Sequence, residues 1–137
     1  LFVCVHNSAR SRMAEAWLNH LHGNRYEAES AGLTPGAVNP IAARVMAEAG
    51  LDIATRPPRT VEQAVASSKP FDYVITVCDQ ASAESCPPVF GIAEQIQWEF
   101  EDPAGFQGTE EEVTDQVRRL REAIRARINR WVSATAV

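Results

Sequence analysis

The sequence predicts an α/β fold: a single-domain three-layer sandwich in which a four-stranded parallel sheet, order 2-1-3-4, is flanked by helices. Three observations carry this. Short apolar runs alternate with segments of helical period, the pattern of a parallel sheet with helical crossovers. Right-handed crossovers then place the four strands in that order. The 137 residues contain no internal repeat, low-complexity tract or linker, which suits one domain spanning residues 1–137. A chain of this length buries enough core to fold without disulfides.

Strand one is read at Leu1–Val5. Helix one follows from Ser11 to Leu21, with Met13, Trp17 and Leu21 four apart on one face, and Gly23-Asn24 ends it. A short second strand is placed at Tyr26–Ser30. Asn39-Pro40 reads as an N-cap followed by proline at the first helical position, opening a second helix that stops at Gly50. Thr60 and Gln63 form a capping box for a short third helix. The runs Tyr73–Val77 and Ile96–Phe100 read as strands three and four. Thr109 and Glu112 make a second capping box, and Val113, Val117, Leu120, Ile124, Ile128 and Trp131 give the last helix a three-four apolar stripe. That stripe is core, and the alternating charges opposite it are a solvated face. Trp98 is read as core, and His20 and His22 as exposed residues at a helix end.

Composition excludes several functions. A hydrophobic fraction of 45% and a charged fraction of 23% are those of a soluble globule. No apolar run reaches the length of a membrane span, and the apolar start lacks a charged leader. A net charge of -5 argues against nucleic-acid or anionic-membrane surfaces, so an anionic ligand needs a local positive site. Three cysteines without a secretory signal do not read as a disulfide framework. The chain is expected to be cytoplasmic and monomeric.

In parallel sheets ligands bind beyond the carboxyl ends of the strands, beside strand one. Cys4, Cys78 and Asp102 lie at or just beyond three such ends. Between the first strand and helix runs "CVHNSARS". As a strand–helix loop, its successive amides from Val5 through His6, Asn7, Ser8 and Ala9 to Arg10 can cradle an anion, helped by the helix N-terminus. Arg10 adds a planar fork for two oxyanion oxygens. Small Ser8 and Ala9 let the loop bend, and Asn7 tolerates a left-handed backbone. The same field favours the thiolate form of Cys4, to which Ser11 can donate a hydrogen bond. The stretch lacks the G-x-x-x-x-G-K pattern of a nucleotide loop. It describes a nucleophilic sulfur at the floor of a cradle for a tetrahedral oxyanion.

Phosphate-ester hydrolysis needs only one such sulfur, with Asp102 as acid and then base. Cys78 and Cys86 would then be superfluous. They sit in the polar "CDQASAESCPP", which is neither core nor a zinc signature. Two thiols there suit disulfide exchange, and a two-electron reduction needs a thiol pair. Arsenate is a tetrahedral oxyanion that resembles phosphate and accepts two electrons from thiols.

Taken together, "CVHNSARSRMAEAW", "SAG" at Ser30–Gly32, "VNPIAARVMAEAGLDI", "VITVC…C" and "EDPAG" resemble the arsenate reductases built on the low-molecular-weight tyrosine phosphatase fold, more specifically the thioredoxin-coupled type with three redox cysteines. The resemblance covers nearly the whole chain. It implies that Cys4 attacks arsenate, that Arg10 and the backbone of residues 5–10 hold its oxygens, that Ser11 stabilises the thiolate, and that Asp102 assists departure of the arsenic-bound hydroxyl. It further implies that Cys78 attacks the Cys4 adduct to release arsenite, that Cys86 then attacks Cys78, and that thioredoxin reduces the Cys78–Cys86 disulfide. Phosphate and sulfate would compete for the loop, and no tightly bound cofactor is expected. Some relatives bind potassium near the loop; Asn7, Glu15 and Ser30 match that pattern, but Arg59 falls where an acid belongs, so no metal is expected. His6 and Arg12 are read as tolerated variation. Two other readings stay open: a low-molecular-weight tyrosine phosphatase with incidental cysteines, and a non-catalytic anion or thiol sensor.

Overall fold

A computed structural model describes residues 1–34, 36–67, 70–77 and 94–135. The elements run β1 (Phe2–Cys4), α1 (Arg10–His22), β2 (Ser30–Gly32), α2 (Pro40–Glu48), α3 (Val61–Ser67), β3 (Tyr73–Thr76), β4 (Glu94–Gln97), a 3-10 turn (Pro103–Gly105) and α4 (Glu110–Thr135). The strands form one parallel sheet in the order β2-β1-β3-β4, as the alternation of elements predicts. No helix among the described residues is long and apolar enough to cross a membrane.

Because side chains alternate along a strand, the two sheet faces build two cores. Phe2, Cys4, Ile75 and Val77 join Met13, Trp17, Val45, Ile124, Ile128 and Trp131 in the larger one, between the sheet and α1, α2 and α4. Leu1, Val3, Ala31 and Val74 meet Ala64 in the smaller one, under α3. This gives the three layers and puts the Cys4 side chain on the α1 face.

The helix caps follow the sequence closely. Asn39 Oδ1 accepts from the N–H groups of Ile41 and Ala42, with Pro40 at the first helical position. Gly50, at φ 79°, ends α2 in the left-handed conformation, its N–H on the Ala47 carbonyl and that of Leu51 on the Met46 carbonyl. Thr60 and Gln63 exchange both bonds of a capping box. At α4, the Thr109 hydroxyl accepts from the Glu112 N–H but donates to its carboxylate, so only half of the predicted box forms.

Two strands shift. β2 lies at Ser30–Gly32 rather than Tyr26–Ser30. The Asn19 side chain takes both the N–H and the carbonyl of Ala28, and the Tyr26 N–H goes to the His22 carbonyl at 3.0 Å, so these groups are not free to join a ladder. β4 lies at Glu94–Gln97 rather than Ile96–Phe100. As an edge strand it tolerates polar residues, and the Phe100 carbonyl is bound by Arg10. His22 is half-buried, with Nε2 2.8 Å from Asn129 Oδ1, rather than exposed. Trp98, 2% exposed, is core.

Candidate active site

β1 ends on Cys4, whose thiol is free and buried. Its Sγ lies 2.9 Å from Ser11 Oγ and accepts the Asn7 N–H at 3.2 Å. Asn7 takes φ 51°, the left-handed conformation a short polar side chain tolerates. Its Nδ2 donates to Ser11 Oγ at 2.9 Å and to Ser30 Oγ at 3.0 Å. Since the Ser11 oxygen accepts from Asn7, its own proton is left for the sulfur. Two donors therefore converge on Cys4, an arrangement that supports negative charge there.

Every carbonyl from Cys4 to Ala9 is bound away from the loop's interior. Those of Cys4, Val5, His6 and Ser8 accept the N–H groups of Leu33, Thr34, Gly36 and Asn39 at 3.2, 2.8, 2.9 and 2.9 Å. The Ala9 carbonyl accepts the Met13 N–H at 2.9 Å, and the Asn7 carbonyl accepts Arg12 Nε. With the carbonyls engaged, the loop offers amide donors. α1 begins with no side-chain cap, so its first-turn N–H groups and positive dipole end face the same place. Together these can receive a compact oxyanion with a sulfur beside it.

Arg10 and Asp102 complete the convergence. Arg10 is buried, with Nη1 on the Phe100 carbonyl at 3.1 Å and Nη2 3.7 Å from the Asp102 carboxylate. Asp102 is held by the Ala104 N–H at 3.0 Å, capping the 3-10 turn at Pro103–Gly105. A half-exposed carboxyl in that place can hand a proton to a leaving oxygen or take one from water. His6 stays exposed, its Nδ1 2.9 Å from the Thr34 carbonyl. Cys78 and Cys86 lie outside the described residues.

A second layer lies beneath the loop, and its arginine pairings escaped the sequence. Arg12, read from the sequence as tolerated variation, is 2% exposed, with Nη1 on the carbonyls of Ile53 and Arg56 at 2.8 and 2.6 Å. Burial, and then neighbouring Arg56, lower its pKa from the ordinary arginine value, against the pull of Glu15. Arg56 grips both Glu15 oxygens, at 2.6 and 2.9 Å, and donates to Ser30 Oγ at 2.8 Å. Arg59 pairs with Glu29 at 2.7 Å. The oxygens of Glu15 and Ser30 thus serve a guanidinium, and this donor set does not fit a potassium ion. Among the described residues no group of three or more His, Cys, Asp or Glu is placed to hold a metal. Gly32 is also part of the site, because a Cβ there would lie 2.8 Å from Asn7 N and 2.9 Å from the His6 carbonyl carbon.

Known proteins are similar to this chain over most of its length. The family model of the low molecular weight phosphotyrosine protein phosphatases matches residues 1–136. A relative from Halalkalibacterium halodurans named arsenate reductase is 39% identical over 127 residues, 93% of this chain and 89% of its own. Among solved structures, the arsenate reductase of Archaeoglobus fulgidus superposes with a TM-score of 0.78 at 34% identity, covering 96% of this chain and 97% of that one. An arsenate reductase in the phosphate binding state gives 0.79 at 28% identity, covering 98% and 96%. A thioredoxin-dependent arsenate reductase of Corynebacterium glutamicum gives 0.59 at 27% identity, covering 93% of this chain and 60% of that longer one. Fold, loop and near-complete match agree: the chain belongs to the low molecular weight phosphotyrosine protein phosphatase family, among relatives named arsenate reductase.

Proposed function

We propose that this protein reduces arsenate to arsenite in the cytoplasm, as one domain spanning residues 1–137, with Cys4, Cys78 and Cys86 as a thiol relay and thioredoxin as the electron donor. The observation that carries the reading is the Cys4 sulfur under converging donors at the floor of a loop whose carbonyls all face away. The phosphate-binding neighbour supports the oxyanion, and the thioredoxin-dependent neighbour supports the donor. The Cys4 thiolate attacks arsenic, and a hydroxyl leaves as water with a proton from Asp102. Arg10 and the amides of residues 5–10 hold the remaining oxygens. The Cys78 thiolate then attacks Cys4 Sγ. The sulfur–arsenic bond breaks with its electron pair on arsenic, which departs as arsenite, and Cys4–Cys78 forms. Cys86 displaces Cys4 from Cys78. The thioredoxin dithiol reduces Cys78–Cys86, supplying the two electrons of the cycle.

The test is NADPH oxidation in a mixture of the protein, arsenate, thioredoxin and thioredoxin reductase. Arsenate-dependent oxidation is expected from wild type, and none from Cys4→Ser, Cys78→Ser or Cys86→Ser. Failure with thioredoxin and with every other thiol donor would remove the reading. The family match and the Arg10–Asp102 pairing favour one alternative, phosphate-monoester hydrolysis. That reading requires Cys78→Ser and Cys86→Ser to keep their full turnover on an aryl phosphate.

A further inference from the structure

Five of the six loop carbonyls from Cys4 to Ala9 are held by backbone amides, and the sixth, that of Asn7, by a side chain, the Arg12 Nε. The left-handed turn at Asn7 takes its carbonyl out of line with the Leu33–Asn39 segment that serves Cys4, Val5, His6 and Ser8. Holding a carbonyl with an arginine in this place is costly. Arg12 is buried, and its Nη2 has no hydrogen-bond partner among the described residues. An apolar side chain of similar volume would fill the space at less cost. What an apolar side chain lacks is a donor for the Asn7 carbonyl.

We infer that Arg12 is a positioning residue that sets the Asn7–Ser8 peptide and through it the anion cradle. In a trans peptide the carbonyl of one residue and the N–H of the next point in opposite directions. Tying the Asn7 carbonyl beneath the loop therefore aims the Ser8 N–H to the open side. Among the described residues that N–H has no partner in the protein. The Arg12 fork is itself fixed by the carbonyls of Ile53 and Arg56, so the register of the loop is read against a different part of the chain. Without the fork the peptide is free to rotate. Rotation removes an amide donor and turns a carbonyl dipole toward the oxyanion, so binding loses an attraction and gains a repulsion. Loss of one hydrogen bond to a charged group corresponds to about tenfold to a hundredfold in affinity.

The inference rests on reading the loop as an oxyanion site, and inorganic phosphate is the probe. Backbone amide spectra are titrated with phosphate for wild type, Arg12→Gln and Arg12→Lys. In wild type the Ser8 amide should move and saturate. Both variants should keep dispersed spectra, bind about tenfold to a hundredfold more weakly, and lose the Ser8 response while other loop amides still move. Lysine keeps the charge without the fork, so its failure to rescue separates positioning from simple electrostatics. Wild-type affinity or an unchanged Ser8 response in either variant overturns the inference. So does failure of both variants to fold, which would make Arg12 a packing residue. Phosphate that leaves the wild-type spectrum unmoved overturns the oxyanion reading itself.

Discussion

At the scale of single residues, the site depends on how closely backbones approach one another. Gly32 ends β2 directly beneath the loop, and a Cβ there would lie 2.8 Å from Asn7 N, 2.9 Å from the His6 carbonyl carbon and 3.0 Å from the Val5 oxygen. All three neighbours are backbone, so no side chain can swing aside. Gly32→Ala must push the loop off the sheet, at about 1–3 kcal/mol of overpacking. It should lower the melting temperature and weaken phosphate binding at least tenfold, as measured by calorimetric titration. Unchanged affinity would show that the loop absorbs the displacement without losing its amide geometry. The sequence displays this glycine within "SAG" but not the contact behind it, because the contact joins residues 32 and 5–7 across a strand pair. Arg12 was hidden for a similar reason. Nothing local to the helix marks this arginine as enclosed, and only its bonds to the distant carbonyls of Ile53 and Arg56 show it.

At the scale of elements, local chemistry fixed what was legible, and tertiary competition fixed the rest. The caps at Asn39 and Thr60 and the stripe of α4 are short-range, and their sequence signals were sufficient. The misplaced edges of β2 and β4 depend on side chains from elsewhere, Asn19 and Arg10, which take backbone groups from the ladder. The same long-range logic joins α2 to α4. Glu48 accepts from Arg118 at 2.7 Å and Arg121 at 3.0 Å, and Arg121 also holds the Val45 carbonyl at 2.8 Å. The bond from Arg118, more than that from Arg121, lowers the Glu48 pKa from 4.5 to about 2. A carboxylate with a depressed folded pKa contributes stability above its unfolded value and loses it as pH falls through its folded value. The clasp should therefore act fully above about pH 4.5 and fade toward about pH 2. Glu48→Gln should unfold at slightly lower denaturant than wild type at neutral pH, with the gap closing across that window and shrinking in high salt. A gap independent of both pH and salt would mean that packing, not charge, joins these helices.

At the scale of the molecule, the two ends of the sheet carry different tasks. The carboxyl end of β1 holds the loop, whose hydrogen bonding is proposed to serve an anion despite a net charge of -5. Toward the opposite end, Trp131 of α4 meets Tyr73, at the start of β3, at 5.0 Å and Tyr26 at 5.2 Å; the aromatic cluster continues to Trp98, just past β4, at 6.2 Å from Trp131 and 5.8 Å from Phe2. This cluster closes α4 over the starts of β1 and β3 and uses none of the loop's hydrogen bonds. Trp131→Ala should cost about 3–5 kcal/mol, a large share of the ~5–15 kcal/mol typical of a folded domain. Phosphate should stabilise wild type by mass action, about 2.7 kcal/mol at a hundredfold excess over Kd. Changes at separated sites that share no partner add to within about 0.5 kcal/mol. The truncated protein should therefore gain the same increment from phosphate as wild type, although it starts from a much lower stability. Denaturant unfolding of both proteins, with and without phosphate at constant ionic strength, gives the comparison. An increment lost in Trp131→Ala would mean that the aromatic end transmits order through β1 to the loop, and the division of tasks along the sheet would be wrong.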